Sequence, residues 1–166
     1  MKIMRNLVKS IALSFVAVLF AFSVQAQDKN IVGLAAETES LSTLVTAVKA
    51  AGLVETLSGN GPFTVFAPTN AAFEALPDGT LEMLLKPENK DKLIAVLTYH
   101  VVSGKVYSKD LKEGQKAKSV QGEEIAVSLK GGATVNGAKV AMADVKASNG
   151  VVHVIDQVIL PTSMTK

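Results

Sequence analysis

Cysteine does not occur in this chain of 166 residues. Its absence removes disulfides, a thiol nucleophile and lipid attachment through an N-terminal Cys, so the fold rests on its core alone. Histidine is nearly absent. His100 and His153 are the two present, with no His-x-x-x-His pair and no glutamate beside them in metalloprotease spacing, so no zinc set is expected. The nucleophile-elbow spacing Gly-x-Ser-x-Gly is missing. Gly59-Asn60-Gly61-Pro62 has no Lys-Ser/Thr after it and leads into a strand pattern, so it reads as a turn and not a phosphate cradle. Gly131-Gly132 reads as a hairpin tip. No repeat, low-complexity tract or linker divides the chain, and neither a cofactor nor a metal is expected.

What is present begins with an export pattern. Lys2, Arg5 and Lys9 charge the start, residues 11–24 are almost wholly apolar, and Val24-Gln25-Ala26 supplies cleavage-type residues. This predicts a signal peptide over 1–26, cut between Ala26 and Gln27. The apolar run is shorter than the roughly 20 residues a spanning helix wants, so no stable membrane insertion is expected after cleavage. Removing the peptide changes the charge argument. The whole chain has 17 basic and 15 acidic residues, net +2, and loses three positives with the peptide, which leaves 14 against 15, net −1. A near-neutral domain gives no electrostatic case for nucleic acid. The lysines between 105 and 118 are interleaved with Asp110 and Glu113 and read as a solvated surface. About 140 residues in a chain that is 48% hydrophobic suffice for one core.

Along that domain, residues 28–38 read as a short helix. A second follows, with Ser40 as its cap, Leu41, Leu44, Val45 and Val48 as its apolar stripe, and Gly52 where a left-handed residue is wanted. Another turn of helix covers 53–57. Residues 63–67 form a strand stopped by Pro68, and Thr69 or Asn70 caps a brief helix through Phe73. Helical patterns return around Leu81, Leu84 and Leu85, and again from Asn89 through Leu97. Beyond Leu97 the period turns strand-like: 99–102 is a strand candidate, 105–107 its return, and 108–111 a helical turn. Short strands follow at 116–120, 125–129, 133–135 and 139–143, with Asn136-Gly137 as a type I′ hairpin signal. Helices crowd the first half and strands the second, which predicts an α+β fold.

The final apolar stretch, 150–161, organises the rest. Val152, Val154, Val158 and Leu160 fall on one side of a period-two pattern and Val151, Ile155 and Ile159 on the other, so this strand belongs inside a sheet. His153 and Asp156 interrupt it. Three apart, they point to opposite faces. His153 reads as a core histidine with hydrogen-bonded ring nitrogens, and Asp156 as an acceptor of backbone donors. Tyr99-His100, at a helix-to-strand junction, is the more functional-looking pair, because an aromatic and an imidazole there can form a binding surface, but the first reading even of this pair is a packed ring and a hydrogen-bonded imidazole.

Three separated segments carry a family resemblance. Residues 61–73, Gly-Pro-Phe-Thr-Val-Phe-Ala-Pro-Thr-Asn-Ala-Ala-Phe, resemble the first signature of fasciclin domains, Tyr99-His100 their central Tyr-His motif, and 149–161 their second signature. Single-domain secreted bacterial members are the nearest in pattern. Ser103 departs from them where many have proline. The resemblance implies a wedge-shaped β-sandwich with several short helices packed against it, filling residues 27–166. It also implies a non-enzymatic binding module in cell-surface or matrix adhesion, with a protein or polysaccharide partner. By carry-over Tyr99 and His100 are the first binding candidates, followed by Asn70 and Phe73. Two alternatives stand beside this: a periplasmic carrier of a small apolar or sugar-like ligand, and a hydrolase built on Ser103, His100 and a carboxylate.

Overall fold

The computed structural model describes residues 29–165; the expected signal peptide and the Ala26/Gln27 cleavage point lie outside them. Helices dominate the first part. They are α1 (Ile31–Glu37), α2 (Ser42–Ala51), α3 (Val54–Ser58), α4 (Asn70–Glu74), α5 (Thr80–Leu85) and α6 (Lys90–Tyr99), interrupted by strand β1 (Phe63–Pro68). Then come β2 (Val101–Ser103), β3 (Lys116–Lys118), β4 (Glu124–Ser128), β5 (Thr134–Val135), β6 (Ala138–Ala147) and β7 (Gly150–Ile155). The fold is α+β. Among the described residues no single helix is long and apolar enough to cross a membrane.

The strands make one mixed sheet in the order β2-β1-β7-β6-β5-β4-β3. Its parallel pairing is β1 with β7, from Phe63↔Gly150 to Pro68↔Ile155. The two ends of the sheet meet: Val102 bridges Ser119 just beyond β3, and Val120 N–H donates to Val101 O at 2.7 Å. The sheet thus folds over on itself and encloses a first core of Phe66, Tyr99, Val102, Ile125, Val127, Val135, Ile155 and Ile159. Its other face, through Val65, Ala67, Val152 and Val154, packs with the helices in a second core that includes Leu44, Val48, Leu93 and Leu97. Strand β7 separates the two, and all six of its residues are buried. A strand placed this way needs apolar residues on both faces, which is why its sequence does not alternate with polar ones.

Two glycines admit the closest backbone approaches. A Cβ on Gly150 would lie 2.0 Å from Phe63 O, and one on Gly61 would lie 2.4 Å from Asn149 O. At the β5–β6 turn, Asn136 (φ 48°) and Gly137 (φ 86°) adopt the left-handed conformations that a type I′ hairpin requires. Gly52 ends α2 at φ 74°.

Several boundaries differ from the sequence pattern. Tyr99 and His100 do not begin a strand. Leu93, Val96, Leu97 and His100 lie at i, i+3, i+4 and i+7, and all four are buried, so α6 runs through Tyr99 with His100 as its C-cap. Residues 105–107 are not a returning strand, because Val106 gives its N–H to Thr64 Oγ1 (2.8 Å) and its carbonyl to a histidine ring. Strand β7 stops at Ile155, opposite Pro68 where its partner β1 ends. Ser40 does not cap α2. That position is served from a distance by Asn70, whose Oδ1 accepts from Thr43 N–H at 3.0 Å and whose Nδ2 donates to Glu39 O at 2.9 Å. Thr69 caps α4, accepting from Ala72 N–H at 3.2 Å.

Candidate functional site

Of the two readings of Tyr99 and His100, a binding surface or a packed ring and bonded imidazole, burial favours the second, for each is only 2% exposed. The helical stripe that ends α6 carries His100 inward, and Tyr99 points to the other core. Tyr99 enters the core enclosed by the sheet, where its hydroxyl accepts from Asn136 Nδ2 at 2.5 Å and faces Glu124 O at 3.3 Å. Burial pushes its phenol above the ordinary tyrosine range, with the Asn136 bond opposing. His100 Nδ1 lies 2.7 Å from Val96 O and its Nε2 accepts from Ile159 N–H at 3.1 Å. A carbonyl on one side and an amide on the other define the neutral Nδ1–H tautomer. Burial pushes its pKa down to about 4, against the Val96 hydrogen bond. In this conformation the pair offers a partner no side-chain surface. It ties α6 to the β5–β6 hairpin and to the segment after β7.

His153 mirrors this arrangement from the middle of β7. Its Nε2 lies 2.7 Å from Val106 O, its Nδ1 accepts from Asp144 N–H at 3.2 Å, and its ring stacks on Phe66 at 5.6 Å between centroids. The Nε2–H tautomer follows. Asp156, exposed just beyond the end of β7, accepts from Lys139 N–H at 2.8 Å. Phe73 is buried in the helix-side core and Asn70 is half-buried in its capping role. These residues are therefore not brought together at one surface.

Two further residues take part that the pattern did not single out. Asn149, noted only as half of a turn, accepts from Ile31 N–H at 2.9 Å and donates to Leu57 O at 2.7 Å and Gly59 O at 2.9 Å. It joins α1, α3 and the approach to β1. Asp144 sits within the β6 register shift between Met142 and Val145 with φ 59°, and its carboxylate accepts from both Ser108 N–H (2.6 Å) and Ser108 Oγ. The Ser108 hydroxyl, helped by the Ser108 amide and opposed by burial, holds this carboxyl below the usual range. An acid inside the otherwise apolar run 140–145 is the sequence signal that points to it.

A hydrolase on Ser103 and His100 is not assembled. Ser103 is exposed, and both ring nitrogens of His100 are engaged by the main chain. Among the described residues no three of His, Asp and Glu group as a ligand set for a metal. The apolar cavity beneath α1 and α2, lined by Ile31, Val45, Val48, Leu57 and Leu97, has a volume of about 20 Å³. That holds about one water, far below the roughly 300 Å³ at which ligand pockets begin.

The fasciclin domain family model matches residues 39–161. The chain belongs to the fasciclin domain family. Protein sll1483 of Synechocystis sp. is 62% identical to this fasciclin domain over 133 residues, covering 80% of this chain and 73% of that protein. The transforming growth factor-beta-induced protein ig-h3 of Sus scrofa is 46% identical over 121 residues, 72% of this chain but 17% of that protein. In structure the domain is similar to a FAS1 domain pair from the insect cell adhesion molecule fasciclin I. The TM-score is 0.72 at 18% identity, over 81% of this chain and 52% of that one. The chain thus spans about half of that domain pair. For the fasciclin domain described here, the two histidines are main-chain clamps.

Proposed function

We propose that this fasciclin domain is an exported, non-enzymatic binding module that engages cell-surface or matrix protein or polysaccharide through its outer surface. The observation that carries the reading is that both histidines spend both ring nitrogens on main-chain groups. No general base is left free among them. The small interior cavity speaks in the same direction against a carrier of small ligands. Family membership supports adhesion as the biological use, and the charged start and apolar run of residues 1–24 support export with cleavage after Ala26.

Two measurements test it. The full chain is expressed and the exported product weighed by mass spectrometry, where a mature start at Gln27 is expected and an uncut chain in the membrane fraction would contradict export. The purified protein, immobilised, is expected to retain envelope or matrix polymers that soluble protein competes away. Turnover of ester, peptide or glycoside substrates that is lost in His100→Ala, with the fold intact, would sink the non-enzymatic reading.

A further inference from the structure

Residues 105–109 run as an irregular strap beside the end of β6. The strap is held by side chains: Thr64 Oγ1 and His153 Nε2 take Val106, and Asp144 takes Ser108. Between strap and strand lie two open grooves of about 400 and 380 Å³. Tyr107, Lys109, Asp144 and Lys146 line the first, and Gly61, Pro62, Lys105, Ser148 and Asn149 the second. Lys105 of one groove and Tyr107 of the other are two residues apart on the strap, and Ser148 and Lys146 are two apart on the opposite side. The two grooves therefore adjoin along the strap and together form one trough.

Its lining carries three lysines against one carboxylate, Asp144. Lys105, Lys109 and Lys146 are exposed, and none forms an ion pair among the described residues. The carboxylates nearby are already engaged: Asp144 by Ser108, and Asp110 by Tyr107 N–H at 3.3 Å. Lys109 lies over the Tyr107 ring at 5.7 Å, and the exposed Ser148 hydroxyl has no hydrogen-bond partner among the described residues. An extended, anionic, hydroxyl-bearing ligand fits this inventory. A peptide strand fits it poorly. The two register shifts in β6, between Val140 and Met142 and between Met142 and Val145, disrupt the flat edge that strand addition needs, which leaves recognition to the side chains.

We propose that this trough binds a carboxylated polysaccharide, a polymer of uronic acids, with Lys105, Lys109 and Lys146 meeting its carboxylates and Ser148 its hydroxyls. The proposal rests on the binding-module reading and names its partner class and site.

The test uses protein purified after expression of the full chain, titrated with hexameric oligomannuronate, with cellohexaose as the neutral sugar and with hexaglutamate as the anionic peptide. Binding is followed by calorimetry and amide NMR shifts. The uronate is expected to shift Tyr107, Lys146 and Ser148 and cellohexaose to shift nothing. The Lys105→Gln, Lys146→Gln double variant should bind about tenfold or more weakly, and binding should fade by about 0.5 M salt. A Lys49→Gln, Lys92→Gln variant on the helical side should bind as wild type. No uronate binding, equal binding of hexaglutamate, or equal loss in the helical-side variant overturns the trough. If wild type still captures surface polymers while the uronate fails, only the trough falls; if both fail, the binding-module reading falls with it.

Discussion

The amide of Ile159 donates to Nε2 of His100 across 3.1 Å, between residues 59 positions apart and in a place closed to solvent. The bond requires that nitrogen to be an unprotonated acceptor. With its pKa lowered to about 4 from the ordinary 6.5, His100 stays neutral in the folded chain while the unfolded chain takes up a proton. Between those values the unfolded state holds more protons, so stability rises with pH. This contribution is present above about pH 6.5 and is lost as pH falls toward 4, at most roughly 3 kcal/mol. Urea melts at pH 7 and 4.5 are expected to show the loss in wild type and a smaller one in His100→Gln. An equal loss in both would assign the acid sensitivity elsewhere.

His153→Ala removes the Val106 and Asp144 bonds and the Phe66 stack. A cost of about 2–4 kcal/mol is expected, from unsatisfied buried groups and a cavity together. His100→Ala should fall in the same range, because it too strands a carbonyl and an amide. Denaturant midpoints check both, and a nearly unchanged midpoint for His100→Ala would contradict its role as a clamp.

Asn149 can be dissected by substitution. Asn149→Asp keeps the acceptor for Ile31 N–H but loses both donors, whereas Asn149→Ala loses all three bonds. Each should destabilise by about 1–3 kcal/mol. Only Asn149→Ala should speed hydrogen exchange at the Ile31 amide selectively, and equal acceleration in both would show that the donors, not the acceptor, hold α1.

Gly150→Ala forces a Cβ to within 2.0 Å of Phe63 O, and both are backbone elements of the central parallel pair. A loss of about 3 kcal/mol or more is expected, at or beyond the upper end of overpacking costs. Soluble expression with an unchanged thermal midpoint would refute it.

Much of the fold was legible in the sequence because its signals are local. The doubly apolar pattern around 151–159 placed a strand inside the sheet, Asn136-Gly137 placed its hairpin, and Gly52 ended its helix. Helical and extended periods separate wherever one face is buried, and left-handed turns select their residues. Tyr99-His100 misled because apolar and aromatic residues satisfy either period. Burial of His100 in register with Leu93, Val96 and Leu97 decided for the helix, and between contact surface and core clamp it decided for the clamp.

By itself the sequence determined the α+β class, the family and the lack of disulfides, since these follow from local pattern, signature segments and the absence of cysteine. Only the tertiary structure decided what the polar residues do. Asn70 caps a helix 27 positions away, Asn149 joins segments about 90 and 118 positions distant, and Asp144 reaches Ser108 across 36. A hydrogen bond depends on where the folded backbone brings a donor and an acceptor to within about 3 Å, and sequence spacing carries no record of that distance.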